Sequence, residues 1–278
     1  MSNKVFIIGN GESRLTVDLE NLKKRGKVYG CNALYRDYTP DVLVCIDAGM
    51  QHEVYGSGYC SNNKTYFRTH TKLPEFMYKD MTNLDALMEW KDGLTISNEK
   101  GNRTQFTVNG TDPNQMKVLY NKYKDTVDEV RLKDVLGQHK LFVTWVDDED
   151  KVELIPEDYS GWSAGPTAVR IALEQEKPCR VYLIGFDLGS PNELINNVYK
   201  GTDNYMSTKA SKTPSVNWIN QHAINFRDYP NTTFYKVNPA PLGTDNTCQF
   251  IEEWKGYDNL QYIEQDNFHL ALDFSLLL

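Results

Sequence analysis

The sequence has no long apolar segment, no excess of basic residues and no paired-cysteine motif. No apolar run approaches the roughly 20 residues that span a bilayer, and a formal net charge of −8 gives no field that would attract nucleic acid. The cysteine count is odd, at five, without C-x-x-C spacing, which argues against a disulfide framework or a zinc site. We therefore expect a cytoplasmic protein with reduced thiols, no transmembrane segment and no nucleic-acid partner.

Familiar catalytic and phosphate-binding motifs are also missing. The histidines show no H-E-x-x-H spacing, and the chain contains neither a G-x-S-x-G elbow nor a Walker G-K-[ST] loop. The first apolar run leads into Gly9-Asn10-Gly11, but Arg14 stands where a dinucleotide fingerprint has its third glycine. What remains is a short glycine turn whose N–H groups could face one or two phosphates.

Alternating strand-like and helix-like segments at both ends of the chain indicate the fold class. Continuous β-branched runs suggest parallel strands that are covered on both faces. The predicted strands are Val5–Ile8, Lys27–Tyr29, Asp41–Ile46, Lys64–Arg68, Arg180–Ile184 and Thr232–Val237. Helices are predicted near Val17–Arg25, after Gly161 and near Val216–Arg227. We predict a single α/β domain over residues 1–278, with a Rossmann-like, mostly parallel sheet flanked by helices.

The middle and the tail of the chain add an insertion and one further strand to this prediction. Residues 69–159 are interpreted as an insertion or subdomain, with helices at Pro74–Trp90 and Met116–Gly137. Leu141–Val146 and Val152–Ile155 flank an acidic turn and predict a β-hairpin. Apolar residues alternate from Phe268 to Leu276, which predicts a strand that completes the sheet or pairs with another subunit in a homo-oligomer.

Small and short polar residues follow each predicted strand of the sheet or open a helix beside it. Parallel α/β sheets bind ligands outside the carboxyl ends of their strands, so these positions predict one binding site. The predicted site residues are Gly9, Asn10, Gly11, Ser13, Asn32, Asp47, Ser163, Ala164, Gly165 and Asp187.

A polar stretch from Leu188 to Thr213 is the second signal. Structureless loops of this length in a compact domain are usually lids, binding loops or disordered segments. This stretch carries Tyr199 and Tyr205, together with three lysines, beside the predicted site. We interpret it as a lid whose tyrosines cover a base or sugar and whose lysines neutralise phosphate; a disordered surface loop is the alternative.

Four segments together resemble a known family. "FIIGNGESR", "GCNALY", "SAGPTAVRIAL" and "VYLIGFDLG" resemble the nucleotide-binding motifs of bacterial sialyltransferases of the Campylobacter lipooligosaccharide type, whose wider relatives are the motility-accessory-factor proteins. The resemblance implies a Rossmann-like domain with a lid that uses CMP-sialic acid without a metal ion. It places Asn10 and Gly11 near the phosphate, Asn32 near the ribose or phosphate, and Asp187 at the ribose edge.

The same resemblance implies further contacts and also has departures. Ser163, Ala164 and Gly165 would lie at the base and ribose, and Tyr199 and Tyr205 would reach the phosphate. However, Ser-Ala-Gly replaces the family's Thr-Ser-Gly, and Gly161 replaces an Arg just before it. Asp47 stands where the family has Asn, and the lid stretch contains no histidine to act as base.

The leading hypothesis is a metal-independent glycosyltransferase that transfers a sugar from a CMP-activated donor to a glycan acceptor. Asp47 and His222 are the candidate catalytic bases. One alternative is a Mg²⁺-dependent pyrophosphokinase or other phosphotransferase, with Asp47 and Asp187 as metal ligands. Another is a nucleotide-binding protein without catalytic activity.

Overall fold

A computed structural model of the chain describes residues 3–68, 94–97, 105–110, 140–144, 150–190, 192–238 and 250–274. The chain divides into two compact units. The first comprises Met1–Asp47, Asn63–Arg68 and Glu153–Leu278, and the second comprises Ala48–Asn62 and Thr69–Val152.

The described residues form strands and helices in alternation at both ends of the chain. The strands are β1 (Lys4–Ile8), β2 (Lys27–Cys31), β3 (Val42–Cys45), β4 (Thr65–Phe67), β5 (Leu94–Ser97), β6 (Gln105–Gly110), β7 (Lys140–Thr144), β8 (Val152–Leu154), β9 (Arg180–Ile184), β10 (Thr233–Asn238) and β11 (Leu260–Glu264). The α-helices are α1 (Leu19–Lys23), α2 (Ala48–Gly56), α3 (Ala164–Glu176), α4 (Val216–Asp228) and α5 (Gln265–Phe274). Of the helices described, none is long and apolar enough to cross a membrane.

An eight-stranded sheet organises the first unit in the order β11-β10-β9-β1-β2-β3-β4-β8. Every neighbouring pair from β11 to β4 is parallel. Strand β1 lies in the middle, and the strand order reverses between β1 and β9, where such sheets bind their ligands. The predicted α/β, Rossmann-like, mostly parallel sheet with flanking helices is confirmed.

Alternate residues of the central strands pack on opposite faces of this sheet. On one face the rings of Phe6, Tyr182 and Tyr235 stack in register across β1, β9 and β10, with centroids 5.2 and 4.8 Å apart. Phe268 of α5 covers them, 6.3 Å from the Phe6 ring. On the other face Phe234 contacts Phe226 of α4, with centroids 4.8 Å apart. The sheet is therefore covered on both sides by aromatic side chains.

Helix α3 contributes several small apolar side chains to the core of the first unit. Its backbone enters the helix from an extended Ser163, and Pro166 lies in the first turn, where a missing N–H has no cost. Ala168, Val169 and Ala172 are completely buried. Lys177 ends the helix in the left-handed conformation, with φ 47°. These features fix the position of the loop that precedes the helix.

The predicted β-hairpin is wrong. Strand β7 pairs antiparallel with β6 in a three-stranded β5-β6-β7 sheet of the second unit, whereas β8 lies at the edge of the eight-stranded sheet. Two apolar runs close in sequence need not pair when each has a partner elsewhere. The helices predicted at Pro74–Trp90 and Met116–Gly137 lie outside the described residues.

The predicted C-terminal strand is also wrong, because residues 265–274 form helix α5. Phe268 and Leu272, four residues apart, are buried, whereas Leu270 between them is 54% exposed. That spacing follows the helical period rather than the strand period. Strand β11, which the sequence analysis missed, forms the edge of the sheet instead. The predicted subunit pairing through a C-terminal strand thereby loses its basis.

Candidate functional site

The loops after β1 and β9 are in close contact at the strand-order reversal. The Gly11 N–H donates to the Gly185 carbonyl at 2.9 Å. A Cβ atom at Gly9 or Gly11 would lie only 2.6 Å from that same oxygen, well inside van der Waals contact. The first glycine turn is therefore needed for the close approach of two backbones.

Most amides of this turn are occupied by protein acceptors. The Glu12 N–H donates to Asn196 Oδ1 at 3.0 Å, and the Ser13 N–H donates to Asp187 Oδ2 at 3.1 Å. The Ser13 hydroxyl also hydrogen-bonds the other oxygen of Asp187, which is 6% exposed. Ser13 and Asp187 thus fasten the loop after β1 to the loop after β9. The amides of Glu12 and Ser13 therefore donate to protein acceptors and not to a phosphate in this arrangement.

Asn10 has a different surrounding, because its side chain crosses to the carboxyl end of β2. Its Nδ2 donates to the Cys31 carbonyl at 3.0 Å and to the Tyr205 hydroxyl oxygen at 3.3 Å. The Cys31 carbonyl requires a donor, so this contact fixes which end of the amide is nitrogen. Oδ1 is buried, and no partner for it lies among the described residues. A buried acceptor without a donor is costly, and a ligand that donates a hydrogen bond would remove that cost.

Asn32 follows β2 and presents a second acceptor of the same kind. Its φ of 50° lies in the left-handed region, which Asn tolerates better than most residues. Its backbone carbonyl accepts the Cys45 thiol at 3.8 Å. In the described part of the chain, its buried Oδ1 has no hydrogen-bond partner. The Tyr205 hydroxyl accepts the N–H of Ala33, the next residue, at 3.3 Å. Asn10, Asn32 and Tyr205 are therefore brought together.

Tyr199 anchors the predicted lid stretch to the loop after β1. Its hydroxyl accepts a hydrogen bond from Arg14 Nη2 at 2.7 Å and donates to the Asp37 carboxylate. Arg14 is 3% exposed and forms an ion pair with Asp37, with Nη2 to Oδ2 at 3.0 Å. Desolvation, followed by the hydrogen bond to Asp37, raises the pKa of Tyr199 above its ordinary value. Arg36 lies over the Tyr199 and Tyr205 rings, 5.6 and 5.8 Å from their centroids.

Residues 192–213 form a chain of turns held by several such contacts. One isolated bridge joins Leu194 to Ser211, and the Val198 N–H donates to the Asn10 carbonyl at 2.9 Å. Two of its lysines are ion-paired: Lys200 with Glu12 at 2.6 Å, and Lys212 with Glu193 at 2.7 Å. The segment lies against the predicted site, although these two lysines already have acidic partners.

Ser163 is the residue that opens helix α3, and Ala164 and Gly165 are the first two residues of that helix. The Ser163 N–H donates to Gln221 Oε1 at 2.9 Å. A Cβ at Gly165 would lie 2.5 Å from the Phe186 ring, and Ala164 is buried. The small residues here are explained by close packing against the loop after β9. The Ser163 hydroxyl makes no capping hydrogen bond to the helix.

Asp47 is the second residue after β3, and its side chain keeps exposed surface although protein surrounds much of its carboxyl group. Desolvation by the surrounding chain raises the pKa of its carboxyl, and the positive charge of Arg68 offsets part of that rise. A carboxylate with a raised pKa at a strand end is suited to accept a proton. This placement agrees with the role predicted for Asp47, which stays a prediction.

His222 is enclosed in the core, and this placement does not suit a catalytic base. The residue has no exposed surface, and its ring contacts Phe186, Phe226 and Trp254 at centroid distances of 5.0, 6.2 and 5.7 Å. Burial, followed by the positive charge of Lys236, lowers the pKa of His222 to about 3. An acceptor hydroxyl cannot reach the imidazole in this arrangement. Two residues of this aromatic cage, Phe186 and Trp254, are distant from His222 in sequence, so sequence analysis could not anticipate the burial of His222.

Two arginines near the site were not predicted. Arg14 was recognised only as a departure from a glycine motif, yet it is buried beneath Tyr199. Arg68 follows β4, and its Nη2 donates to the carbonyl of Trp162, next to the Ser163 loop, at 2.7 Å. The described residues contain no group of three or more His, Cys, Asp or Glu side chains arranged to hold a metal ion.

Comparisons with known proteins add no assignment. No protein-family model, curated protein or solved structure matches the chain.

Proposed function

We propose that the chain is a metal-independent glycosyltransferase that uses a CMP-activated acidic sugar as donor. The observation that carries the proposal is the pair of buried amide oxygens of Asn10 and Asn32, which have no hydrogen-bond partner in the described part of the chain. The Tyr205 hydroxyl contacts Asn10 and the residue after Asn32. They lie at the carboxyl ends of adjacent parallel strands, where sheets of this class bind nucleotides. The motif resemblance described above supports the same choice of ligand.

The two acceptors also suggest which part of the donor they contact. Because both oxygens can only accept hydrogen bonds, they suit hydroxyl or amino groups of a nucleoside better than a phosphate, which carries acceptors. We therefore place a nucleoside hydroxyl or amino group against Asn10 and Asn32. The Tyr205 hydroxyl, which receives two N–H groups at 3.3 Å, keeps its own proton available to an acceptor such as phosphate.

Asp47 is the proposed base for the reaction. It would accept the proton of the acceptor hydroxyl while that oxygen bonds to the anomeric carbon. The bond between that carbon and the phosphate oxygen breaks, and CMP leaves with the electron pair. The pKa of Asp47 is raised by desolvation, and a base works best when its pKa approaches the working pH.

The alternatives differ in what they require of Asp187 and Asp47. A Mg²⁺-dependent phosphotransferase would use both as ligands, yet both oxygens of Asp187 accept hydrogen bonds from Ser13. A nucleotide-binding protein without activity would need the nucleotide contacts of Asn10 and Asn32 but no base. The three candidate functions therefore differ in whether nucleotide binding requires Mg²⁺ and in whether the protein turns over a substrate.

A thermal-shift panel of CMP, CDP, UDP, GDP and ATP, each with and without Mg²⁺, tests the proposal. We expect stabilisation by CMP that does not depend on the metal, since a bound ligand raises the melting temperature by mass action. Metal-dependent stabilisation by ATP would support the phosphotransferase instead. CMP stabilisation without any release of CMP from CMP-N-acetylneuraminic acid would indicate a binding protein. A folded sample that no nucleotide stabilises contradicts all three.

A further inference from the structure

Arg68 occupies a defined position at the carboxyl edge of the eight-stranded sheet. Its backbone N–H donates to the carbonyl of Cys45, the last residue of β3, at 3.2 Å. Its guanidinium donates to the Trp162 carbonyl at 2.7 Å. Since Trp162 directly precedes Ser163, one side chain links the end of β4 with the loop that opens helix α3.

The guanidinium of Arg68 has one hydrogen bond and no ion-paired carboxylate within the described ranges of the chain. Its Nε is buried without a hydrogen-bond partner, and no ion pair to Arg68 exists among the described residues. Asp47 is close enough for Arg68 to lower its pKa, but the two form no ion pair. By contrast, Arg14 and Arg170 are each ion-paired, at 3.0 and 2.7 Å.

A half-buried arginine whose guanidinium donates to one neutral carbonyl is suited to an anionic ligand. Buried charges are normally paired, because desolvation without a partner is costly. The planar guanidinium presents several N–H donors in a fixed fork that matches a carboxylate. The N–H donors of Arg68 that Trp162 does not use can therefore bind one planar anion.

We propose that Arg68 binds the carboxylate of the transferred sugar. The inference rests on the proposed function, which supplies an acidic sugar next to the nucleotide. The nucleoside would contact Asn10 and Asn32, and the sugar would extend along the strand ends toward Asp47 and Arg68. In that position the carboxylate fixes the sugar beside the proposed base.

The test compares the affinities of CMP and CMP-N-acetylneuraminic acid by titration calorimetry in four proteins. These are the wild type, Arg68→Ala, Arg68→Lys and the control Arg227→Ala, which removes an exposed arginine from α4. We expect the wild type and the control to bind the sugar nucleotide at least tenfold more tightly than CMP. Arg68→Ala should bind CMP as the wild type does but lose this preference. Arg68→Lys should retain only part of it, because an ammonium lacks the fork.

The outcomes separate this inference from the function on which it rests. If the wild type binds neither compound, the proposed function fails, and the role of Arg68 fails with it. If the wild type binds CMP and Arg68→Ala keeps the full preference, only the role of Arg68 is overturned. Arg68→Ala also removes the hydrogen bond to Trp162 and could unfold for that reason. In that case the Arg68→Lys variant still decides the question. An unchanged preference in the Lys variant would then overturn the inference.

Discussion

The burial of His222 predicts a specific loss of stability in mild acid. The pKa of the folded state is about 3, owing to burial and the charge of Lys236, whereas an unfolded histidine has a pKa of about 6.5. Between these values the unfolded chain binds a proton that the folded chain does not. Lowering the pH through this window therefore favours the unfolded state. The stability that neutral His222 contributes is fully present above the pKa that this histidine has in the unfolded chain. That stability is lost as the pH falls below this value.

The size of this loss in unfolding free energy depends mainly on the pKa of the histidine in the unfolded chain, as long as the pH stays well above 3. Between about pH 7.5 and pH 5.0 the linkage relation gives a loss of about 2 kcal/mol from this residue alone. The loss should disappear in His222→Leu, a substitution of similar volume. Both imidazole nitrogens lack partners among the described residues, so the variant abandons no hydrogen bond there.

Urea denaturation at the two pH values, followed by tryptophan fluorescence, measures this difference. Trp254 contacts the His222 ring, so the signal reports on that region. The free energy of unfolding of wild type should fall by about 2 kcal/mol more than that of His222→Leu. His269→Leu, which removes a partly exposed histidine, is the control and should keep the wild-type loss. An equal loss in wild type and His222→Leu would refute the reasoning.

Two further predictions concern the packing around the site. Gly11→Ala places a Cβ 2.6 Å from the Gly185 oxygen and should lower the free energy of unfolding by about 1–3 kcal/mol. Gly161→Ala, where an added Cβ meets nothing within 4 Å, is the control; equal effects would show that the β1–β9 contact is unimportant. Tyr199→Phe removes the hydroxyl between Arg14 and Asp37 and should cost about 1.5–3 kcal/mol in urea denaturation. Tyr235→Phe, which keeps a stacked ring on β10, should cost less, and the opposite ranking would contradict the proposed anchor.

Local sequence patterns predicted the parallel sheet well because its strands are short, apolar and separated by glycine or helices. Arg180–Ile184 was predicted with the bounds that β9 has. The pattern failed where pairing is decided by distant partners. Strand β8 joins the sheet at β4 rather than forming a hairpin with β7, and no nearby residue signals that choice.

The tail shows how one pattern can fit two structures. Phe268, Leu270 and Leu272 alternate as in a strand, but Phe268 and Leu272 alone also satisfy the helical i, i+4 spacing. The preceding strand β11 takes the sheet edge, and helix α5 then covers the aromatic face with Phe268. Tertiary packing therefore decided between two local periodicities.

The candidate site could be predicted by position but not by chemistry. The strand-end rule identified Asn10, Asn32 and Asp47, and the structure shows which of their atoms have partners. The burial of His222 and the exposure of Asp47 follow from contacts across the fold. The position of Arg68 beside Trp162 depends on two segments about 90 residues apart along the chain, a separation that short motifs do not span.

The binding of CMP at the carboxyl ends of β1 and β2 is the central claim. Asn32→Gly tests it most directly, because glycine accepts the φ of 50° and the lost Oδ1 has no partner in the described structure. Asn10→Ala is less suitable, since it also removes hydrogen bonds to Cys31 and Tyr205. Titration calorimetry without metal should show that the wild type binds CMP and that Asn32→Gly binds it about tenfold more weakly, the equivalent of one lost hydrogen bond of ~1.4 kcal/mol. The melting temperature of the Asn32→Gly variant without ligand should change little. No CMP binding by the folded wild type, or equal affinity in the variant, would contradict the claim.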